Sequence, residues 1–128
     1  VTSHPFSLAS LAALGTCHPD LQRLVYAVAD RVDCSVLCGH RDEATQERLY
    51  REGKTRAHWP HSRHNSQPSM AVDLAPYPVN WQDLDRFRWF GGFVQGIAVG
   101  LGIEIVWGGN WKGFADMPHF ELAAKEST

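Results

Sequence analysis

Seven histidines and a few carboxylates are the residues of this chain that could do chemistry. His58, His61 and His64 recur every third residue, a spacing that would align them on a helix. Pro60 and the polar residues around it argue against a helix there, so the three do not read as one metal face, and only one or two of them need matter. Asp73 lies in MAVDLAP, between Val72 and Leu74. Strand side chains alternate faces, so if its neighbours face the core, Asp73 faces either a cleft or open solvent. The string DMPHFEL repeats this logic, with Phe120 and Leu122 on one face and His119 and Glu121 on the other. Asp116 precedes His119 with Pro118 between them, so a strand cannot run straight through. A kink there could turn both side chains to one point. Two His and one carboxylate are a standard ligand set for catalytic zinc, with a fourth position left for water and a nearby carboxylate to move its proton. His and Asp residues this far apart in sequence leave that as one reading among several.

Such side chains need elements to hold them. Residues 7–14 read as a short helix, and Pro19 opens a second in which Leu21, Leu24, Val25, Val28 and Val32 recur at helical spacing. Ser35 to Cys38 reads as a strand. Residues 42–52 read as a helix, with Asp42 as its cap and Gly53 as its stop. Residues 54–69 are loop-like. Met70 to Ala75 alternates as a strand stopped by Pro76 and Pro78. The longest helix spans 83–101, with Leu84, Phe87, Phe90, Val94, Ile97 and Leu101 as its apolar stripe. Glu104 to Trp107 and His119 to Leu122 complete the strands. No regular βαβ alternation is present, which predicts an α+β fold with helices packed on a small, largely antiparallel sheet.

The length of 128 residues suits one domain over 1–128, and 44% apolar residues are enough for a core. A net charge of -2 argues against a nucleic-acid partner and gives no electrostatic hold on an anionic membrane. No apolar run is long enough for a membrane span, and the first residues lack the pattern of an export signal. Cys17, Cys34 and Cys38 are an odd count, which reads as reduced, packed thiols rather than a disulfide framework. A structural zinc site built from Cys34, Cys38 and His40 or His18 is the alternative, although its spacing fits no strong zinc pattern.

Three strings carry a resemblance. SRHNSQPSMAVDLAPY at 62–77 resembles the signature of the zinc D-Ala-D-Ala carboxypeptidases, a family that includes the phage L-alanyl-D-glutamate endopeptidases used as endolysins. Ser62, His64, Ala71 and Asp73 fill its key places. WGGNWKGFADMPHFEL at 107–122 matches a second family string through Asp116 and His119, and GHRDEATQERLYREGKT at 39–55 a third. Ser69 stands where Gly is usual, and Asn110 where Asp is frequent.

The resemblance implies a zinc site in a surface cleft, with His64, Asp73 and His119 as ligands and Asp116 as general base and then acid. It implies Arg41 beside the cleft, steadying negative charge on the substrate. Gln46, Ser62, Trp107 and Tyr77 are the candidates for substrate contact, Gln46 alternatively supporting Arg41. The implied substrate is the stem peptide of bacterial peptidoglycan, cut at L-Ala-D-Glu by a monomeric phage endolysin. That enzyme would accumulate in the host cytoplasm and reach the periplasm and cell wall through a holin. The alternatives are a D-Ala-D-Ala carboxypeptidase of wall metabolism and a non-catalytic wall-binding zinc domain.

Overall fold

Helix starts follow side-chain caps in the computed structural model, which describes residues 4–124. Helix α1 (Leu8–Leu14) begins where the Ser7 hydroxyl accepts from the Ser10 amide. Helix α2 (Pro19–Ala29) has Pro19 in its first turn, behind a His18 ring that accepts from Asp20 N. Asp42 caps α3 (Glu43–Arg51) by accepting from Thr45 N at 2.8 Å, and Gly53 follows with φ +74°. Asp83 caps α4 (Leu84–Leu101), which Gly102 ends in the left-handed conformation that favours glycine.

The strands are β1 (Cys34–Cys38), β2 (Ala71–Pro76), β3 (Ile105–Trp107) and β4 (His119–Leu122). Their order is β1-β2-β4-β3, with every neighbouring pair antiparallel. Four helices packed on a four-stranded antiparallel sheet make the described residues an α+β fold, as expected.

The departures are local. Helix α2 stops at Ala29, so Val32 packs against the core from the turn beyond it. Pro76 ends β2 from within, where a missing amide costs least. Leu84 is 47% exposed, and Gly91 and Ala98 take up the buried positions of α4 instead. Gly91 is required by packing: a Cβ there would run into the Trp107 ring.

Helices α2 and α4 meet the sheet through Leu21, Leu24, Val28, Phe90 and Val94 on one side and Val72, Leu74, Phe120 and Leu122 on the other, all buried. Full burial of each large side chain contributes about 1.5–3 kcal/mol. Phe120 sits edge-on to Phe90 and stacked on Trp107. This apolar face fixes the register, because a slip of one residue in β4 would send Phe120 to the outside and His119 into the core. The register in turn sets Asp73 opposite His119 and Cys38 opposite Asp73, so the three stand abreast on adjacent strands. An irregularity in β1 between Val36 and Cys38 brings Cys38 into that row.

Candidate metal centre and its cleft

His64 reaches the sheet from a turn that is over-determined. Residues Arg63–Asn65 form a 3-10 turn in the loop expected at 54–69. The Ser62 hydroxyl accepts from His64 N, and the Asn65 side chain accepts from Ser62 N, a reciprocal cap. The His64 carbonyl takes the Arg41 amide at 2.8 Å. The ring is wholly buried, and Nδ1 donates to the Gly39 carbonyl at 2.7 Å. Gly39 is a tight place, since a Cβ there would collide with the Ala13 carbonyl and the Thr16 hydroxyl.

That anchor leaves His64 Nε2 facing Asp73 Oδ1 at 3.1 Å and His119 Nδ1 at 3.2 Å. His119 Nδ1 lies 3.4 Å from the same Asp73 oxygen. The other nitrogen of His119 is held by Glu121 Oε1 at 2.8 Å, and Glu121 lies 3.6 Å from Arg63. Each imidazole therefore has one nitrogen fixed by a neighbouring oxygen and the other aimed at a common point, which is how metal-binding histidines are oriented. Bonds of about 2.0–2.1 Å at tetrahedral angles would set donor atoms about 3.3 Å apart. The three observed separations fit such an ion, with a fourth position left over.

Electrostatics agrees. Burial opposes charge on Asp73, but His64 and His119 outweigh it and hold the carboxyl well below its usual range. Burial likewise opposes charge on His64, and Asp73 outweighs it, raising the imidazole. Two rings and one carboxylate that shift one another this strongly, inside a cleft, mark a candidate functional site.

Cys38, His64 and Asp73 form a possible metal-holding group of their own, with ligand atoms within 4.8 Å of one another. Two overlapping donor sets thus share His64 and Asp73. The set completed by His119 is the tighter one. The Cys38 thiol contacts the Gly39 carbonyl at 3.5 Å, the same oxygen that anchors His64 Nδ1 on the side of the ring away from Asp73. All three cysteines are free thiols. Burial pushes Cys17 up to about 11 and Cys34 up to about 12, so both are inert packing, as expected. Cys38 departs from that reading. Burial opposes its ionisation, but a hydrogen bond and charge from His64 prevail and lower it.

The site opens into a cleft of about 1020 Å³, lined among others by Arg41, Ser62, Trp111 and Asp116. The Asp116 amide donates to the Gly108 carbonyl at 2.9 Å, and His119 N donates back to the Asp116 carbonyl, so the chain doubles over ahead of β4. Gly108 makes this possible: a Cβ would stand 2.5 Å from the Asp116 carbonyl and 3.0 Å from His119 Cβ. Burial, and then the charge of Asp73, raise the Asp116 carboxyl above its ordinary range. Arg41 points a guanidinium nitrogen at Asp73 Oδ2 from 3.6 Å.

The remaining candidates divide. Ser62 lines the cleft, although its hydroxyl caps the turn. Gln46 cannot meet a substrate, because it is wholly buried. It accepts from Arg41 and from Asn65 and donates to the Ala57 carbonyl at 2.7 Å, so it braces Arg41 and the loop. Trp107 belongs to the core, with its indole N–H on the Met117 carbonyl. Tyr77 stacks on His4 and is absent from the cleft lining. Asn65 is the brace that sequence reading missed: it joins the Arg41 carbonyl to Gln46. Its one signal is its place directly after His64.

Gln46→Leu should lower the unfolding free energy by about 2 kcal/mol or more, since it strands several buried polar partners at once. Denaturant titration checks this; an unchanged midpoint would mean that water replaces the amide.

A family model described as phage L-alanyl-D-glutamate peptidase matches residues 2–123. A crystal structure of the Serratia marcescens L-Ala D-Glu endopeptidase ChiX superposes with a TM-score of 0.78 at 32% identity, covering 94% of this chain and 92% of that one.

Proposed function

Because this chain belongs to the phage L-alanyl-D-glutamate peptidase family, we propose that it is a zinc peptidase that hydrolyses the L-Ala-D-Glu bond of the peptidoglycan stem peptide. The observation that carries this reading is the convergence of His64 Nε2, Asp73 Oδ1 and His119 Nδ1 to within 3.1–3.4 Å, in the same cleft as Asp116. His64, Asp73 and His119 hold the ion, and Glu121 and the Gly39 carbonyl fix the two rings. A zinc ion there supplies Lewis acidity, acidifying water and polarising the scissile carbonyl. Asp116 takes the proton from the attacking water and passes it to the departing amine of D-Glu. A carboxyl raised by burial suits both transfers. Arg41, braced by Gln46, steadies the negative charge that develops on the carbonyl oxygen.

As a phage endolysin, the chain acts as one monomeric peptidase domain. It accumulates in the host cytoplasm and reaches the wall through a holin. No helix among the described residues is long and apolar enough to cross a membrane.

Mass spectrometry of peptidoglycan digested by the zinc-loaded protein tests the reading. New D-Glu amino termini paired with freed L-Ala carboxyl ends are expected. Release of single D-Ala would make the enzyme a carboxypeptidase, and no product at all would leave a wall-binding domain.

A further inference from the structure

The cleft is more basic than the protein. Five Lys and Arg side chains line it against three carboxylates, in a chain whose net charge is -2. Three of these cations are matched: Arg41 by Asp73, Arg63 by Glu121, and Lys54 by Glu52 at 3.1 Å. Arg56 and Lys112 are exposed cleft residues, and neither has an ion pair with a carboxylate of the described residues.

They come from different elements of the chain. Arg56 belongs to the loop after α3, and Lys112 to the segment between β3 and β4. The Arg56 guanidinium lies over the Phe114 ring, 4.9 Å from its centre. A Cβ placed on Gly113 would stand 3.8 Å from the same guanidinium, so Arg56 rests against the segment that carries Lys112. Stacking on Phe114 fixes the plane of the guanidinium and leaves its edge free to donate. Two like charges on the lining of one cleft repel each other, and an anion bound by both relieves that repulsion.

We propose that Arg56 and Lys112 form a carboxylate subsite, and that its occupant is the free carboxylate of the D-glutamyl residue on the amine side of the scissile bond. The subsite rests on the peptidase reading above. Whichever carboxyl of D-Glu enters the next peptide bond, the other remains free, and it travels with the leaving amine. Arg41, by contrast, is committed to Asp73 and Gln46. The subsite thus accounts for a preference for an acidic residue after the bond, which the metal ligands cannot supply.

The test compares two synthetic stem peptides that differ only in that carboxylate, one free and one converted to the amide. For the wild-type zinc enzyme the free acid should have a KM lower by about tenfold, with kcat little changed, as expected for two partly screened ion pairs. Arg56→Gln with Lys112→Gln should equalise the two KM values, and Arg56→Lys should restore part of the difference. Raising the salt concentration should raise KM for the acid and leave the amide unchanged, a measurement that needs no variant. Equal KM values for the wild type, or a preference that survives in the double variant, would overturn the subsite. Calorimetric titration with both peptides runs in parallel. If the protein cuts neither peptide, the hydrolytic reading fails, and the ratio of the two binding constants still decides the subsite.

Discussion

Asp116→Asn is expected to keep its zinc and its fold while kcat falls by about 10²–10⁴-fold, the usual contribution of a positioned general base. Asparagine preserves the size of the side chain and cannot accept the proton. The backbone of Asp116 is held by Gly108 and His119 through main-chain hydrogen bonds that the substitution leaves alone, so the loop geometry survives. The three donor atoms of the metal centre come from other residues, so zinc content should stay near one per chain. KM should change little, because the carboxylate acts on the proton in flight rather than on the resting substrate. Full loss of turnover with full metal content would establish that role. An Asp116→Asn protein that keeps more than a tenth of its activity would exclude Asp116 as the base. Loss of zinc in the variant would instead make it part of the coordination shell.

The parts of this site legible in the sequence are those that follow from alternation. Val72 and Leu74 bracket Asp73, and Phe120 and Leu122 interleave with His119 and Glu121, so the strand period alone separates the apolar face from the chemical one. The kink at Pro118 was legible too, and it folds Asp116 back beside β4. What alternation cannot say is which strands are neighbours. The pairing of β2 with β4 is what makes Asp73 and His119 adjacent; from residues alone that adjacency was one possibility among several, and the family strings supplied it. The loop at 54–69 was the least legible stretch. Its 3-10 turn is set by two side-chain caps on Ser62 and Asn65, too short to produce any periodicity.

The expectations that shifted share a cause. Trp107 and Tyr77 are large amphipathic side chains whose type fits a cleft and a core equally well, and packing against Phe120 and His4 decided each case. Gln46 sits on the buried face of a mostly polar helix, where one buried residue leaves no apolar stripe to reveal the inward side. Cys38 owes its place beside His64 to an irregularity in β1 that no local pattern announces. Arg56 and Lys112 are unremarkable loop cations until both are seen to line the same cleft.

The two donor sets that share His64 and Asp73 make opposite predictions, and their separation should be large. His119→Ala removes Nδ1 from the tighter set and leaves Cys38 in place. If His119 is a ligand, the variant should lose zinc affinity by well over the 10–100-fold that loss of a mere supporting group brings, and activity should fall to background. Cys38→Ser should then keep both metal and activity, since the thiol belongs to the looser set, whose atoms are grouped only to within 4.8 Å against 3.1–3.4 Å for the set with His119. His64→Ala belongs to both sets and should abolish binding on either account. It should also destabilise the metal-free protein, because the buried Gly39 carbonyl loses its imidazole donor and keeps only the weaker Cys38 thiol contact. Zinc affinity measured by competition with a chromophoric chelator reads all three variants without relying on turnover. Replacing zinc by cobalt adds an independent signature: thiolate ligation gives an intense near-ultraviolet charge-transfer band that nitrogen and oxygen donors lack. Absence of that band in the wild type, with affinity lost in His119→Ala, assigns the centre to His64, Asp73 and His119. The band's presence, with affinity lost in Cys38→Ser, would move the third ligand to β1 and free His119 for a role beside Asp116.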